Sequence, residues 1–535
     1  MKVKNKFIEG SPILIIGDFP SREDEQANTP LTNEILINTF ANTGLSLNNI
    51  SRANLSQIRP NDNLISSIED SDEYKRGISS LRSYIEKEHL GIKVILCLGE
   101  SVLNTICKEY GIQKWRGSVL RLGGIHYIST YSPYQVSRQR SLYPIFTFDI
   151  YRAIEISRKG YTAPINDFII DPSGLDLEEI KSEILSNDII SIDIESSRDS
   201  THILCCGFAS SKSKAYCLVN HDYMGMEYSF YNATKTICEN ESVKKIFHNG
   251  LFDVEMLRLN GINVKNWTYD TMVGQHILEP EMEKSLAFLT SLYTDRPYYK
   301  EMGKDSDEKT WNSKIDKNSL YVYNCLDCVS TFEIYEKQIL ELKELKLWDL
   351  FLYEMELCEI ALHIGSSGML RDNERCNLIE GYLKEQCRKD QTLLNNIVGK
   401  EINVKSPKQL KDTLYTDMKL PTRKAYSGTV TTDENAIVAS MAYVKEHIST
   451  LRTEDKIMEW SKKLVTLKLI LKIRGYRQLL SNYINATFSS DGRIRSSYKV
   501  TGTETGRWAC SMYVDGTGLN AQTFPREVLT IEDTY

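Results

Sequence analysis

The sequence predicts an α/β protein made of several domains. Its 535 residues are too many for one hydrophobic core, and about 150 residues per domain suggests three or four units. Hydrophobic residues make up 41% of the chain and charged residues 26%, which is the balance of globular proteins with real cores. Short apolar runs alternate with helical stretches in the first third, whereas long helical patterns dominate the last third.

The first region alternates strand and helix patterns. Apolar runs predict strands at Ile13–Gly17, Val94–Gly99 and Ile125–Thr130, and helical periodicity predicts helices at Leu31–Thr43 and Tyr74–His89. Such alternation is typical of a parallel sheet covered by helices. A hydrophilic passage follows near residue 164, so we expect a first domain over residues 1–160.

A second strand-rich region opens at Ile189–Glu195, and we expect a second domain over residues 165–344. Helical patterns then continue over Leu345–Gly365, Glu374–Val398 and Thr453–Tyr483, before a stretch rich in glycine and threonine at residues 491–507. These patterns predict a third, mostly helical domain over residues 345–535.

Charge is distributed unevenly along the chain. The net charge is −7, yet residues 461–510 carry ten lysines or arginines against two acidic residues, a local charge of +8. A basic window on an acidic protein suggests an electrostatic footprint for a phosphate backbone, although a solvated helix face is the commoner explanation.

No signal peptide and no apolar run long enough to cross a membrane are present in the sequence. We therefore expect a cytoplasmic protein without a membrane partner, in the host cytoplasm if it is phage-encoded. Its twelve scattered cysteines should be reduced and form no disulfides.

The strand Ile189–Glu195 carries two acidic residues. Asp193 and Glu195 are two positions apart, so both side chains point to the same face of a strand. Because buried paired carboxylates need cations, the pair suggests a Mg²⁺ or Mn²⁺ site. An isolated Asp-X-Glu is more often part of an edge or a turn, so the pair does not decide by itself.

Two further motifs place polar residues at helical spacing. Asn249 and Asp253 are four residues apart where a helical pattern begins, and Asn249 taken alone is best interpreted as the helix N-cap. Tyr323 and Asp327 have the same spacing inside an apolar helix, where an isolated Tyr–Asp pair is usually structural.

Taken together and in this order, the three motifs resemble the DEDDy 3′→5′ exonucleases. The resemblance implies an RNase H-like fold whose catalytic residues are Asp193, Glu195, Asp253, Tyr323 and Asp327. The four carboxylates would hold two Mg²⁺ or Mn²⁺ ions, and Tyr323 would orient the attacking water. We expect a supporting role for Asp270, and we expect Cys325 and Cys328 to be core thiols rather than a zinc or redox motif.

Five short strings in the last third resemble family A DNA polymerases over residues 350–526. They are SPKQL at 406–410, TTDE at 431–434, RGYRQL at 474–479, DGRI at 491–494 and TGTETGR at 501–507, and LNAQTFP at 519–525 extends the match. The resemblance implies a thumb and part of a palm that bind a DNA primer–template. The residues expected to contact DNA are Asn249, Arg474, Arg477, Arg493, Thr505, Arg507, Asn520 and Gln522.

The resemblance ends before the catalytic palm aspartates and the fingers, neither of which appears before Tyr535. We therefore expect a polymerase module that is incomplete in this chain, either because the chain is a fragment or because a separate chain carries the rest. The tail Glu527–Tyr535 departs from the family pattern, which suits read-through into intervening sequence.

Residues 12–155 resemble the uracil-DNA glycosylase superfamily, through IIGDFP at 15–20, LCLG at 96–99 and TYSP at 130–133. The resemblance implies an α/β sandwich in which Asp18 activates water and Asn54 recognises a flipped base. Ser132 takes the position of the family's histidine, so glycosylase activity is not expected. Only Cys97 and Cys107 precede residue 200, so we expect no iron–sulfur cluster and favour a degenerate DNA-binding or architectural module.

The sequence as a whole favours a phage-type replication protein, in which a proofreading exonuclease acts on single-stranded 3′ ends and is joined to part of a DNA polymerase. Two alternatives stay open. One is a stand-alone DEDD exonuclease that acts on RNA, which the TGTETGR string disfavours. The other is a DNA-binding subunit that completes a polymerase in trans.

Overall fold

The structure is a computed structural model that describes residues 2–87, 91–197, 201–221, 226–302, 317–425 and 428–524. The predicted helix end at His89, and the predictions made for Pro525 and for Glu527–Tyr535, lie outside these residues. The chain forms two compact units, Met1–Leu357 with Thr503–Gly506, and Cys358–Gly502 with Arg507–Tyr535. Within the described ranges, no helix has both the length and the apolar character that a bilayer span requires.

A five-stranded sheet organises the N-terminal part of the first unit. Its strands are β1 (Ile13–Gly17), β2 (Ser51–Asn54), β3 (Val94–Leu98), β4 (Val119–Leu122) and β5 (Ile125–Thr130), in the spatial order β2-β1-β3-β5-β4. All neighbours are parallel except β4 and β5, which form a hairpin. Gly123 and Gly124 between them have positive φ, as a two-residue hairpin loop requires. Every residue of β1 and β3 is buried, as expected for strands covered on both faces.

The helices of this part are α1 (Arg22–Ala27), α2 (Glu34–Asn42), α3 (Asp72–Lys87), α4 (Glu100–Val102), α5 (Ile112–Trp115), α6 (Pro133–Arg138) and α7 (Tyr143–Lys159). The three predicted strands and two predicted helices are therefore present. The ends of β1 and β5 are as predicted, and among the other described ends the start of β3 also agrees while the rest shift by one to three residues.

A six-stranded sheet organises the rest of the first unit. Its strands are β6 (Asp167–Ile170), β7 (Ile189–Ser196), β8 (Ile203–Ala209), β9 (Lys214–Val219), β10 (Lys244–Phe247) and β11 (Trp267–Asp270), in the order β11-β10-β7-β8-β9-β6. The strands β7, β8 and β9 are antiparallel, whereas β10 runs parallel to β7. Its helices are α8 (Leu175–Leu185), α9 (Met226–Cys238), α10 (Gly250–Leu259), α11 (Thr271–Leu278), α12 (Leu286–Tyr293) and α13 (Lys317–Glu344).

Helix α13 packs across β7, β8 and β9, and glycine on β8 allows it to come close. A Cβ at Gly207 would lie 2.3 Å from Oδ1 of Asn324 and 2.7 Å from Sγ of Cys328. Cys325 and Cys328 are fully buried between the helix and the sheet, and all twelve cysteines are free thiols, as predicted.

The second unit is mostly helical. The boundary between the units falls within α14 (Trp348–Ser367), and the later elements are β12 (Met369–Leu370), α15 (Asn373–Val398), α16 (Pro407–Lys411), α17 (Glu434–Thr450), α18 (Glu454–Leu479), β13 (Arg493–Ile494), β14 (Ser497–Lys499) and β15 (Ala509–Ser511). Helices α15 and α17 pack against α18 around a core that includes Leu394, Val444 and Ile470. These sheets and helices confirm the predicted α/β class.

Candidate active site

Three acidic side chains from a strand and a helix converge in the first unit. Asp193 and Glu195 on β7 and Asp327 on α13 each offer an oxygen atom, and these atoms lie within 4.8 Å of one another. The strand places both of its carboxylates on one face, because the alternating residues Ile192 and Ile194 are buried on the other side. The acidic spacing in the sequence therefore predicted a group of side chains that the fold does bring together.

Hydrogen bonds hold α13 against β7 at this point. The Ser191 hydroxyl donates to the carbonyl oxygen of Cys328 at 2.7 Å. The Asn324 amide donates to Oδ2 of Asp193 at 2.8 Å and to the Asp193 carbonyl oxygen at 3.1 Å. Asn324 thus fixes the orientation of one carboxylate, a role that the sequence analysis did not assign.

The fourth predicted carboxylate, Asp253 on α10, lies beside the same strand and is only 6% exposed. Its Oδ1 atom accepts a hydrogen bond from the Ile194 amide at 3.2 Å. Burial, together with the charge of Asp193, holds the pKa of Asp253 well above its usual range. Burial also raises the pKa of Asp193, and the charges of Asp327 and Glu195 add to the shift. Such a group of carboxylates is stable in its ionised form only when cations compensate it.

The beginning of α10 differs from the sequence interpretation. Asn249 occupies the N-cap position with φ of 60°, but its side chain makes no capping hydrogen bond. Asp270 accepts instead from the amides of Asn249 at 3.1 Å and Gly250 at 2.7 Å, and it also caps its own helix α11. Asn249 is thus the N-cap residue by position, as interpreted, but its side chain does not cap the helix, and a carboxylate of the neighbouring strand β11 binds the first two amides instead.

Asp270 is buried, and burial raises its pKa to about 6 even though four backbone amides favour the charged form. Through these contacts Asp270 binds the beginnings of both α10 and α11, which is compatible with the supporting role expected for it. An aspartate directly before a helical pattern can be interpreted from sequence as an N-cap, and Asp270 caps α11 in this way. Its contact with α10, which begins 20 residues earlier, leaves no such pattern.

Two residues that the sequence analysis missed also bind Asp327. The Lys300 ammonium donates to both carboxylate oxygens of Asp327, at 2.6 and 2.5 Å, and to the Tyr323 hydroxyl at 2.9 Å. The Tyr299 hydroxyl donates to Oδ1 of Asp327 at 2.8 Å. Burial and the nearby carboxylates raise the pKa of Tyr323, so its phenol stays protonated. Tyr299 and Lys300 lie outside any helix or strand, where no periodicity marks them.

A second polar group lies at the carboxyl edge of the N-terminal sheet. Asp18 follows β1, Asn54 ends β2, and Ser132 follows β5, so parallel strands bring all three to one edge. A Cβ at Gly99 would lie 3.2 Å from Cβ of Ser132 and 3.8 Å from Oδ2 of Asp18, which shows how close these residues are.

Several polar atoms in this group of residues are buried without a hydrogen-bond partner among the described residues. They are Oδ1 of Asp18 and both amide atoms of Asn54, which is 1% exposed. Burial raises the pKa of Asp18 to about 7. Buried polar atoms normally have partners, so these atoms stand out as candidates for contact with a bound molecule. Ser132 is used differently, because its hydroxyl caps α6 by accepting from the Gln135 amide.

In the second unit, the arginines expected to contact DNA also contact their own chain. Arg474 donates to the carbonyl oxygens of Val404 and Thr432. Arg477 donates to the side chain of Gln391, and Arg493 donates to the carbonyl oxygen of Ser367. Three further cations of the +8 window are paired with carboxylates, namely Lys463, Lys472 and Arg495.

The other residues expected to contact DNA follow α18 along the chain, and Thr505 among them belongs to the first unit. Thr505 and Arg507 are exposed. Asn520 accepts from the Gln522 amide at 3.0 Å, and the Gln522 side chain donates to the carbonyl oxygen of Trp508 at 2.8 Å. Exposed side chains such as those of Thr505 and Arg507 can be reached by a phosphate or a base edge of bound DNA.

Comparison with known families identifies three regions. Residues 6–153 match the uracil DNA glycosylase superfamily, residues 173–343 match the 3′-5′ exonuclease family, and residues 373–513 match DNA polymerase family A. The carboxylates Asp193, Glu195, Asp253 and Asp327 all lie within the exonuclease match, and the Asp18 pocket lies within the glycosylase match.

Curated relatives agree with these matches. DNA polymerase I of Synechocystis sp. is 24% identical over 286 residues, which cover 51% of this chain and 27% of that protein. DNA polymerase I of Pseudomonas aeruginosa is 24% identical over 369 residues, which cover 64% and 38% of the two chains. The match thus spans about a quarter to two-fifths of the length of these relatives.

Among solved structures, the POL domain of Pol1 from M. smegmatis, in a complex with DNA primer-template and dNTP, is similar with a TM-score of 0.49 and 16% identity. The similarity covers 68% of this chain and 56% of that chain. The three family matches confirm the resemblances drawn from the motifs. The chain therefore joins three regions that match, in order, the uracil DNA glycosylase superfamily, the 3′-5′ exonuclease family and DNA polymerase family A.

Proposed function

We propose that this chain removes nucleotides from 3′ ends of DNA by hydrolysing phosphodiester bonds with the help of divalent cations. The observation that carries the proposal is the convergence of the carboxylates of Asp193, Glu195 and Asp327 within 4.8 Å. The exonuclease and polymerase matches support DNA as the substrate, and the TGTETGR string disfavours the alternative of an RNA exonuclease.

The residues present fit a pair of Mg²⁺ or Mn²⁺ ions. Hard divalent cations prefer carboxylate oxygens, and burial with nearby carboxylate charge raises the pKa of both Asp193 and Asp253, an effect that bound cations would offset. When bound, such ions acidify water and neutralise the charge that develops on the phosphodiester. Asp193, Glu195, Asp253 and Asp327 would hold them.

The chain's own groups then position the reactants. Tyr323 stays protonated, and its hydroxyl would orient a water molecule beside the carboxylates. Asn324 fixes the Asp193 carboxylate, and Asp270 holds the beginning of α10, the helix that carries Asp253. Preorganised groups of this kind lower the barrier because they need no rearrangement during the reaction.

The proposal is tested with the double variant Asp193→Asn/Glu195→Gln and a labelled single-stranded oligonucleotide in Mg²⁺. Removal of the charges should lower the rate by at least about 10³-fold while DNA binding is kept. The matched control is Asp188→Asn, an exposed acid just before the same strand, which should leave the rate unchanged. Digestion by the double variant at the wild-type rate would refute the assignment of the site.

We further propose three domains over residues 1–160, 165–344 and 345–535, the last of which binds primer–template DNA through Thr505, Arg507, Asn520 and Gln522. The exposed position of Thr505 and Arg507 supports this role. Loss of a phosphate contact should weaken binding at every sequence and reduce its salt dependence, so Arg507→Ala tested by fluorescence anisotropy at several salt concentrations checks it.

A second candidate function rests on the buried, unpartnered amide of Asn54 beside Asp18. We propose that this pocket accepts a flipped nucleobase, because an amide offers both a donor and an acceptor to a base edge. The pocket lacks a cationic group at Ser132, whose hydroxyl caps α6, so we expect base recognition without efficient excision.

A further inference from the structure

One segment of the first unit runs from the region of the five-stranded sheet to the carboxylate site on the six-stranded sheet. Residues 294–301 follow α12, and their first part lies against the elements of the five-stranded sheet. Arg152 on α7 donates to the carbonyl oxygens of Ser291 and Thr294, and to the Asp295 carboxylate at 3.0 Å. The glycosylase-like region therefore holds the beginning of this segment.

The same region also holds the segment further along. The Tyr298 amide donates to the Ser118 hydroxyl at 3.1 Å, and the ring of Tyr298 packs edge-on against Trp115 at 5.2 Å. Lys114 forms an ion pair with Glu301, one residue after Lys300. Contacts thus lie on both sides of Tyr299 and Lys300 and restrict where these two residues can be.

Beneath these contacts lies a buried ion pair. Arg116, which is 1% exposed, pairs with Asp149 and donates to the Ser291 hydroxyl at 2.8 Å. Thr130 donates to the same carboxylate at 2.7 Å. The Arg116–Ser291 bond crosses between the two regions, and breaking it would leave a buried guanidinium donor without its partner, which is costly.

At the other end of the segment, Lys300 places a positive charge in the carboxylate site. Its side chain is 15% exposed, and its ammonium has three donors, which match the two Asp327 oxygens and the Tyr323 hydroxyl. Lys300 also lies close enough to Asp193 for its charge to favour ionisation of that carboxyl. A divalent cation bound by Asp327 needs at least one of the oxygens that Lys300 contacts.

We propose that Lys300 is a positioning residue that acts as an internal counter-ion, orienting Asp327 and Tyr323 and competing with divalent cations for Asp327. The glycosylase-like region would hold it in this position through residues 294–301. The inference rests on the proposed function of the carboxylate site, and it gives the N-terminal region a mechanical role that does not depend on uracil chemistry.

The test is a titration of the full chain with Mn²⁺ alone, in which electron paramagnetic resonance measures the free ion. Lys300→Met should lower the Kd for Mn²⁺ by about tenfold, because a competing positive charge is removed. Lys300→Arg, which keeps the charge, should stay within about twofold of the wild type. The matched control Lys214→Met removes an exposed lysine paired with Glu183 and should change nothing.

A variant at Ser118, which contacts the segment, changes the position of Lys300 while its charge is kept. Ser118→Ala removes one hydrogen bond to the segment and should shift the Kd for Mn²⁺ part of the way towards the Lys300→Met value. A Kd for Lys300→Met equal to or higher than that of the wild type would overturn the inference. That result would leave the proposed function intact if Asp193→Asn/Glu195→Gln abolishes Mn²⁺ binding. An absence of Mn²⁺ binding to every protein, the wild type included, would instead contradict the metal site itself.

Discussion

At the scale of single residues, Asp18 is a half-buried acid with one buried oxygen atom, and its protonation should affect the stability of the N-terminal region. Its pKa is raised from 3.8 to about 7 because its surroundings disfavour the charge. The folded state therefore holds a proton that the unfolded state releases above pH 3.8, so stability is greatest below that pH and falls as the pH rises to about 7.

The variant Asp18→Asn should remove this dependence. Between pH 4 and pH 7, ionisation of Asp18 should lower the free energy of unfolding of the wild type by about 1–4 kcal/mol. The variant should lack this contribution, so its free energy of unfolding should fall less over the same pH range. Thermal unfolding at both pH values measures the difference, with the exposed Glu69→Gln as the control. Parallel pH profiles for wild type and Asp18→Asn would contradict the buried-acid account.

A second prediction at this scale concerns uracil excision, because Ser132 stands where the resemblance implies a histidine. Without a cationic side chain to stabilise a uracil anion, excision should lose about 3–4 kcal/mol of transition-state stabilisation, so uracil-containing DNA should remain intact. Alkaline cleavage assays in the Asp193→Asn/Glu195→Gln background avoid digestion by the exonuclease site. Ser132→His should give at most a partial gain, and efficient scission that Asn54→Ala abolishes would show that the pocket is active as it stands.

Among individual site residues, those with regular spacing could be predicted from the sequence. The spacing of Asp193 and Glu195 fits a strand, and both lie on β7. The spacing of Tyr323 and Asp327 fits a helix, and both lie on α13. Lys300 could not be found in this way, because it reaches Asp327 from a loop. The hydrogen bonds of Arg474 to the carbonyl oxygens of Val404 and Thr432 could not be predicted either, because a count of charges does not show which atoms a guanidinium contacts.

At the scale of elements, the packing of α13 on β8 depends on Gly207. An added Cβ would overlap Asn324 and Cys328, so Gly207→Ala should displace the helix that carries Tyr323 and Asp327. We expect a stability loss of about 1–3 kcal/mol and a clear loss of nuclease activity. Gly475→Ala, where a Cβ meets no atom within 4 Å, is the control. An active, fully stable Gly207→Ala protein would contradict this account of the packing.

Element positions followed from the sequence better than element ends did. The predicted helix Thr453–Tyr483 is α18, which ends at Leu479 and continues as a π turn over Leu480–Ile484. The hydrophobic period continues through that turn, so the pattern could not show the change of hydrogen bonding. The contact of Asp270 with two helices was equally hidden, because it depends on β11 lying beside β10.

At the scale of the whole molecule, the order of the three family matches agrees with the order of motifs along the sequence. What the sequence could not show is that the first two regions share one compact unit, in which Arg116 and Arg152 of the first region donate hydrogen bonds to Ser291 of the second. Contacts between residues about 140 to 175 positions apart leave no local pattern.

The central claim is that the four carboxylates make a metal-dependent nuclease that acts from the 3′ end. The most direct measurement uses 5′-labelled single-stranded DNA with the full chain, in Mg²⁺ and in EDTA. The account predicts a ladder of progressively shorter labelled products in Mg²⁺ and intact DNA in EDTA. Immediate release of the 5′ label as a mononucleotide, or the same ladder in EDTA, would contradict it.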